Sequence, residues 1–594
     1  MKDTLEIKMN KSLILSSNKL LWPEHGHAIL VDDFCNREEN SKSNLVLDFE
    51  IAKHYGLNKN INDQIHKEII KIYDLLLPQF VEVLNAYHQV RESTIYWERI
   101  ITHWLFRSIS ALLTNYRHLE QIVNDHEIKK VLVTKEKLGD VIASDSLDFV
   151  FTLRNSAFVA VLRSEILRHI AVDKQDINLT EIQSRIINTR DLSKSSSSRK
   201  RVFEIYNNLL RKFDFTRVFK NYIFIGNTYL PKFQESILKM SFFQMPIFYE
   251  SPLIYPGNDV APLRNSSFQP SQDSCKVEQF IFSNIALLLP RSYLEDFHQY
   301  RSHIISSNLP KNPSLIVTAN NYDTDDYFKI WSGEKAKTGS KIIVWQHGNN
   351  IGTARHSHYP EICNSDKYVT WGWNHNINSH LGFCQKIGPT PKPLSKHRNS
   401  LLLIQDQFPS NWNLTDTANR LKNYIQDQHT FIRSLSTQPM SSLIIRKFGL
   451  DLDNNSANKH WHDLEIQEDV MLNFDNKQGS IVNLIRKSRI AVFSYYSTGF
   501  LECLAMDHPA IAFWREGYDI FTDEAMKDFV PLQSSGLIHF SANSASEHIN
   551  THWDDVHAWW VSPRVVEAKN IFVEKHARRT RTPIRDFRSI LKSF

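Results

Sequence analysis

From Asp63 to Val123 apolar residues recur at helical spacing, as in Ile70, Tyr73, Leu77, Phe80, Val81 and Leu84, and no glycine interrupts them. The pattern predicts a helical region, bent near Pro78, whose missing N–H and bulky ring disturb the ladder. After Asn308 the texture shortens into β-rich runs alternating with helical stretches: Leu315-Ile-Val-Thr318, Lys341-Ile-Ile-Val-Trp345 and Lys367-Tyr-Val-Thr-Trp371. That alternation signals parallel α/β architecture. A second series follows, with strands at Ser400-Leu-Leu-Leu-Ile404, Ser442-Leu-Ile-Ile445, Ile490-Ala-Val-Phe493 and Ala510-Ile-Ala-Phe513, and a helix from Ile481 to Ser488. Between the series, Gly388-Pro389-Thr390-Pro391-Lys392-Pro393 can continue neither a helix nor a central strand.

Two Rossmann-like halves joined by a proline linker predict an α/β, GT-B-like fold with the halves facing a cleft. The expected division is 1–388, carrying a large helical insertion at about 60–240, then a linker at 389–397, then 398–594 ending in helices. A chain of 594 residues exceeds what one core supports, which agrees with two large domains.

Composition narrows the classes. With 42% hydrophobic and 23% charged residues and only 17 glycines, the chain is neither disordered nor collagenous. A net charge of +5 is far below that of a dedicated nucleic-acid binder, so no nucleic-acid partner is expected. Five scattered cysteines with no C-x-x-C pair indicate neither a disulfide framework nor a zinc ribbon, which fits a reducing cytoplasm. No stretch approaches ~20 uncharged apolar residues, so contact with the inner membrane would be peripheral. The run Lys194-Ser-Ser-Ser-Ser-Arg199-Lys200-Arg201 reads as a solvated loop, with contact to anionic lipid or glycan as its functional alternative.

Gln346-His347-Gly348 follows directly on a strand, at the carboxyl end where open α/β sheets bind ligands. An imidazole there can protonate a leaving oxygen, deprotonate an acceptor or bind a phosphate, and glycine permits a sharp turn. Upstream, Asn320-Asn321-Tyr322-Asp323-Thr324-Asp325-Asp326 also follows a strand, so three carboxylates share that edge. One of them can stabilise or attack an oxocarbenium-like centre. One is expected to cap the helix beginning near Tyr327. Asp323-Thr324-Asp325 also matches the short D-x-D pattern that holds a divalent metal on nucleotide diphosphates.

In the second half, Ser494-Tyr-Tyr-Ser497-Thr498-Gly499-Phe500-Leu501-Glu502 runs from strand into helix, and N–H groups at that helix start make a phosphate site. Glu502 can accept from ribose hydroxyls, with ordinary helix capping around Ser497 or Thr498 as the alternative. Arg446 ends a strand and can grip a phosphate or carboxylate, or form a salt bridge. His356, His358, Glu361 and Cys363 fit no standard zinc spacing, so no metal is assigned. Trp371, Trp373, Trp559 and Trp560 are read as core aromatics, with stacking on a base or sugar as the functional alternative.

These residues together resemble the bacterial surface-carbohydrate transferases of the LIC12162 family, with wider similarity to capsule and lipopolysaccharide Kdo transferases. The resemblance is carried by Leu84-Asn85 with His88, Ser93-Thr-Ile-Tyr96-Trp97-Glu98-Arg99, Trp104-Leu105, Asp326-Tyr-Phe-Lys329, Gln346-His347-Gly348, Thr370-Trp371-Gly372-Trp373, Ser497-Thr498 with Glu502, and Trp559-Trp560. It implies a CMP-activated nonulosonic or ulosonic acid donor, of the pseudaminic acid or Kdo type, transferred with retention to a glycan or glycolipid acceptor. In such enzymes a motif histidine and an upstream aspartate lie at the reacting centre, which implies His347, with Gln346 beside it, and Asp326 or Asp323. The C-terminal half would hold CMP through Arg446, Ser497, Thr498 and Glu502, with Gly348 on the donor side. CMP leaves with a single phosphate that arginine, a helix N-terminus and a proton donor can balance, so no metal cofactor is expected. The rival readings are a GT-B phosphotransferase or UDP-sugar enzyme, and an inactive scaffold among polysaccharide assembly proteins.

Overall fold

The computed structural model describes residues 11–36, 46–55, 59–174, 176–184, 222–387 apart from 248, 253, 255, 258–259, 267, 308, 349–350, 356–358 and 375–377, then 399–406, 420–447, 455–475, 480–515 and 521–594. Both the expected linker at 389–397 and the basic run at 194–201 lie outside them.

Three five-stranded sheets, every pairing parallel, form the frame. The first has the order β3-β2-β1-β4-β5, from β1 (Lys11–Ile14), β2 (His25–Leu30), β3 (Val46–Ile51), β4 (Ile128–Thr134) and β5 (Asn178–Ile182). The second runs β10-β9-β8-β7-β6, from β6 (Tyr222–Ile225), β7 (Pro313–Thr318), β8 (Lys341–Trp345), β9 (Lys367–Thr370) and β10 (Ser379–Leu381). The third runs β12-β11-β13-β14-β15, from β11 (Ser400–Ile404), β12 (Leu443–Arg446), β13 (Ser488–Phe493), β14 (Ala510–Phe513) and β15 (Ile538–His539). The α/β class with parallel sheets is as expected, and the first sheet is an addition. Two of its strands, and β6 of the second sheet, fall in the stretch read as a helical insertion.

The second sheet is the shared layer. Ile316, Ile342, Val344 and Tyr368 join the core that contains the first sheet, while Leu315, Val317, Ile343, Trp345 and Val369 join the core of the third. Alternate residues of a strand point to opposite faces, so these continuous apolar runs feed two cores at once.

The helical run divides into α1 (Lys59–His88), with Pro78 inside it, and α2 (Thr94–Asp125). The break follows Gln89, which adopts φ 54°, and Ser93 caps the next helix. Asn85 splints the corner: its amide donates to Glu92 O and accepts from Glu92 N, at 2.9 and 3.0 Å, and accepts from Trp97 Nε1 at 3.0 Å. Arg99 then ties α2 to the second sheet through Ser332 O, Ser340 O and Asp366 Oδ2. Residues 85–99 are therefore a packing device that fixes where α2 crosses the second sheet.

The carboxyl edges of the second and third sheets meet. Ala354 bridges Phe521, Thr522 N donates to Thr353 O at 2.8 Å, and Arg355 pairs with Asp523 at 2.8 Å. The C-terminal segment returns to the second sheet, where Arg578 N donates to Trp371 O and Phe587 stacks on Trp345 at 4.0 Å.

Candidate functional site

At the end of β8 the three motif residues divide their labour. The Gln346 side chain is buried and fully engaged: Nε2 donates to Gly348 O and Ile351 O, and Oε1 accepts from Trp371 N and Trp373 Nε1, both at 2.9 Å. It locks the turn and holds no group free for chemistry. Trp371 and Trp373 are buried core residues of that lock, and Trp559 and Trp560 are core as well. Gly348 is not in the left-handed region, and a Cβ added there would meet nothing within 4 Å, so what the glycine leaves is open space beside the histidine.

His347 is half-buried, with Nδ1 3.5 Å from the Tyr322 hydroxyl and its ring stacked 6.3 Å from that of Tyr229. Burial disfavours the imidazolium and lowers its pKa, while the charge of Asp323 opposes that shift.

The aspartates separate sharply. Asp325 is the N-cap of α3 (Asp326–Ala336), accepting from Phe328 N at 3.0 Å, and it also accepts from Asn321 Nδ2 and Ser251 Oγ. Asp326 points away from solvent, its side chain 1% exposed, and accepts from Ser146 N, Ser292 Oγ and Tyr293 OH at 2.6–2.7 Å and from Lys329 Nζ at 3.1 Å. Asp323, in the turn Asn321–Thr324, is 30% exposed and faces α2. Arg107 donates to it at 2.5 Å and His103 Nδ1 lies 3.6 Å away. Burial pushes its carboxyl up, but Arg107 and His103 outweigh that and hold it at about 2, so it is ionised at neutral pH. His103 itself is kept neutral by burial, its pKa brought down to about 3.

After β13 of the third sheet, Ser497 caps α4 (Thr498–Ala505) by accepting from Phe500 N at 3.0 Å. Thr498 is the first residue of that helix and Glu502 lies one turn in, half-buried. Burial raises the Glu502 carboxyl, and Lys386 opposes the rise. Lys386 is the link between the halves: its ammonium lies 4.8 Å from the centre of the Tyr229 ring and its charge also reaches His347. Arg446 is in an ion pair with Asp475, the salt-bridge alternative of its sequence reading.

The strand order of the third sheet reverses between β11 and β13, the crevice where open α/β sheets take ligands. Tyr424 spans it, accepting from Asp406 N at 2.7 Å and bonding Ser494 Oγ at 2.8 Å, and the buried Gln405 Nε2 has no partner among the described residues. In the first sheet the equivalent position is filled by the chain itself. There the buried Arg163 pairs with Asp32 and donates to Leu15 O and Asn115 Oδ1. The chain thus bridges one switch-point crevice with a tyrosine hydroxyl and plugs the other with a buried ion pair.

His347, Asp323 and Glu502 are brought into one electrostatic neighbourhood; Asp326, Asp325 and Arg446 are each engaged elsewhere. Sequence reasoning missed Arg107, His103, Tyr229, Lys386, Gln405 and Tyr424. His103 and Arg107 are four residues apart on α2 and so share a face, the one available signal. His356 and His358 lie outside the described residues, among which no group of three or more acidic, histidine or cysteine side chains is placed to hold a metal. No described helix is long and apolar enough to cross a membrane.

A family model described as LIC12162 family transferase matches residues 11–591. No curated protein matches the chain. Similar solved structures include the wall teichoic acid polymerase TagF, at 12% identity over 66% of this chain and 96% of that one, with a TM-score of 0.31. Anabaena Alr3699/HepE in complex with UDP-glucose is 12% identical over 50% and 82% of the two chains, with a TM-score of 0.33. Acinetobacter baumannii MurG is 7% identical over 63% and 100%, with a TM-score of 0.31. Likeness at this level bears on neither donor nor chemistry.

Proposed function

The chain belongs to the LIC12162 family of transferases, and from that premise we propose that it is a retaining glycosyltransferase. It moves a nonulosonic or ulosonic acid, of the pseudaminic acid or Kdo type, from a CMP-sugar to a surface glycan or glycolipid. The observation that carries this reading is the line of ionisable groups spanning the junction of two sheet edges: Asp323, His347, Lys386 and Glu502. An anionic donor suits a cleft whose central group is a lysine, and the helix start at Ser497–Thr498 offers N–H groups to a phosphate.

Of the two candidate nucleophiles, exposure favours Asp323. A carboxylate that is ionised and 30% exposed can reach an anomeric carbon, whereas one holding four donors cannot. In the first step an Asp323 oxygen attacks the anomeric carbon, the bond from that carbon to the phosphate oxygen breaks, and CMP departs with the electron pair. In the second, the acceptor hydroxyl oxygen attacks the same carbon, its proton passes to the neutral His347, and the bond to Asp323 breaks. Two inversions give retention. Arg107 keeps Asp323 ionised and fixes its direction, so it is a positioning residue. No metal enters the scheme.

A panel of CMP-sugars, with CMP release as readout, tests the reading. One CMP-sugar should turn over, and His347→Ala and Asp323→Ala should each lower turnover by at least about a hundredfold, the scale of a lost acid–base or nucleophilic group. Stabilisation by UDP but not CMP in thermal melting, or unchanged turnover in both variants, would overturn it.

A further inference from the structure

On the outer side of edge strand β15 lies a cavity of about 490 Å³, a volume typical of small-molecule sites, and none of its lining residues belongs to the cleft above. Its walls come from the end of the helix Asp523–Ser534 and the turn after it, β15, α5 (Ala542–His552), α6 (Val556–Trp560) and the start of α7 (Pro563–His576). No carboxylate lines it, while three histidines and one arginine do.

The histidines form a chain of rings, His539 to His548 at 5.1 Å and His548 to His552 at 4.5 Å, with Trp559 against both His548 (4.7 Å) and His552 (5.9 Å, interplanar angle 29°). Backbone conformation is committed to this arrangement: Gly536 sits at φ +76°, and a Cβ there would fall 2.4 Å from the His548 ring. His539 is spent on both sides, bonding Ser544 Oγ and Gly536 O. His548 Nε2 is buried with no partner among the described residues. Burial keeps His539 and His548 neutral, at about 4 and about 3, so the His548 ring offers a hydrogen bond rather than charge.

The charge comes from Arg564, which is exposed and has no ion-pair partner among the described residues. At the start of the fourteen-residue α7, Ser562 makes no side-chain cap bond and Pro563 has no N–H. The backbone N–H groups of Arg564 and Val565, both lining residues, therefore lack a side-chain cap and add to the positive end of the helix dipole.

We propose that this cavity is a second binding site that takes an anionic sugar, a pyranose carrying a carboxylate or a phosphate. Its anion pairs with Arg564 and the first turn of α7, and its ring lies against the wall of His548 and His552, which Trp559 backs. The inference is independent of the reaction assigned to the cleft.

The test is titration of the full-length protein, by calorimetry or ligand-observed NMR, with methyl glucuronide, glucose 1-phosphate, inorganic phosphate and methyl glucoside. Saturable binding of one or both anionic sugars, at least about tenfold tighter than the neutral glucoside and inorganic phosphate, is expected; whichever anionic sugar binds identifies the anion. Arg564→Gln and His552→Gln should each weaken it about tenfold or more, with an unchanged melting temperature confirming an intact fold. No saturable binding, equal binding of the neutral sugar, or affinity untouched in Arg564→Gln would overturn the assignment.

Discussion

Replacing Asp326 separates a structural carboxylate from a chemical one. Its partner Lys329 is fully buried, and burial already lowers the lysine pKa against the pull of Asp326. Asp326→Ala leaves that ammonium without its counter-charge and frees Ser146 N, Ser292 Oγ and Tyr293 OH in an enclosed site. Breaking a buried ion pair costs about 3–5 kcal/mol, and each stranded donor adds to it. At ~2.1 cal/mol/K per residue, a folding unit of roughly 390 residues shifts by only about 1.2 °C per kcal/mol, so the melting temperature should fall by about 4–6 °C. Asp323→Ala removes a carboxylate that is 30% exposed from an arginine that is 21% exposed, and water can resolvate the arginine. It should cost roughly 1–2 kcal/mol, well below the cost at Asp326. The assay is thermal melting of both variants beside CMP release, measured well below each midpoint. The expected pattern is crossed, with Asp326→Ala unstable but retaining turnover and Asp323→Ala stable but inactive. An Asp326→Ala protein that melts like wild type and has lost turnover would refute the reasoning.

Three further outcomes follow from the geometry. Gly372→Ala should lower stability by about 2 kcal/mol or more, read by denaturant titration, because φ is +134° and the new Cβ would lie 2.3 Å from Glu574 O. Burial raises the Glu361 carboxyl from 4.5 to about 8, so between those values the native state keeps a proton that the unfolded chain has released. The stability it confers at low pH is therefore lost as pH rises through that window, and Glu361→Gln should gain on wild type from pH 5 to 8; a pH-independent difference would contradict this. Lys386→Met should raise the KM for the anionic donor about tenfold with little change in melting temperature, and an unchanged KM would remove Lys386 from donor binding.

How far the fold was legible follows from strand chemistry. β8, β11 and β14 are uninterrupted apolar runs ending in turn residues, and their bounds were read correctly from the sequence alone. The first sheet was not legible, because β1 and β2 open on polar residues, Lys11-Ser12 and His25-Gly26-His27, β3 turns largely exposed side chains outward and β5 is the polar Asn-Leu-Thr-Glu-Ile. The break between α1 and α2 was hidden for a different reason. No glycine or proline marks it, and Gln89 enters the left-handed region because the Asn85 splint holds the corner.

At the site, strand-end position pointed to His347, and acidic spacing pointed to three aspartates without ranking them. The ranking depends on which donors surround each one, and those come from Ser146, Ser292 and Tyr293 in one case and from α2 in another. Contacts across more than 200 residues of sequence, as between Arg107 and Asp323, leave no local pattern to read. The single N-cap expected among the carboxylates is Asp325.

The central claim is that Asp323 carries the sugar between two displacements. It is tested most directly by mixing the full-length protein with the CMP-sugar it turns over, without acceptor, and analysing quenched peptides by mass. The account predicts a burst of about one equivalent of CMP and a sugar-sized adduct on the peptide containing Asp323, absent in Asp323→Ala. An adduct on another residue, or Asp323→Ala turning over at the wild-type rate, would contradict it.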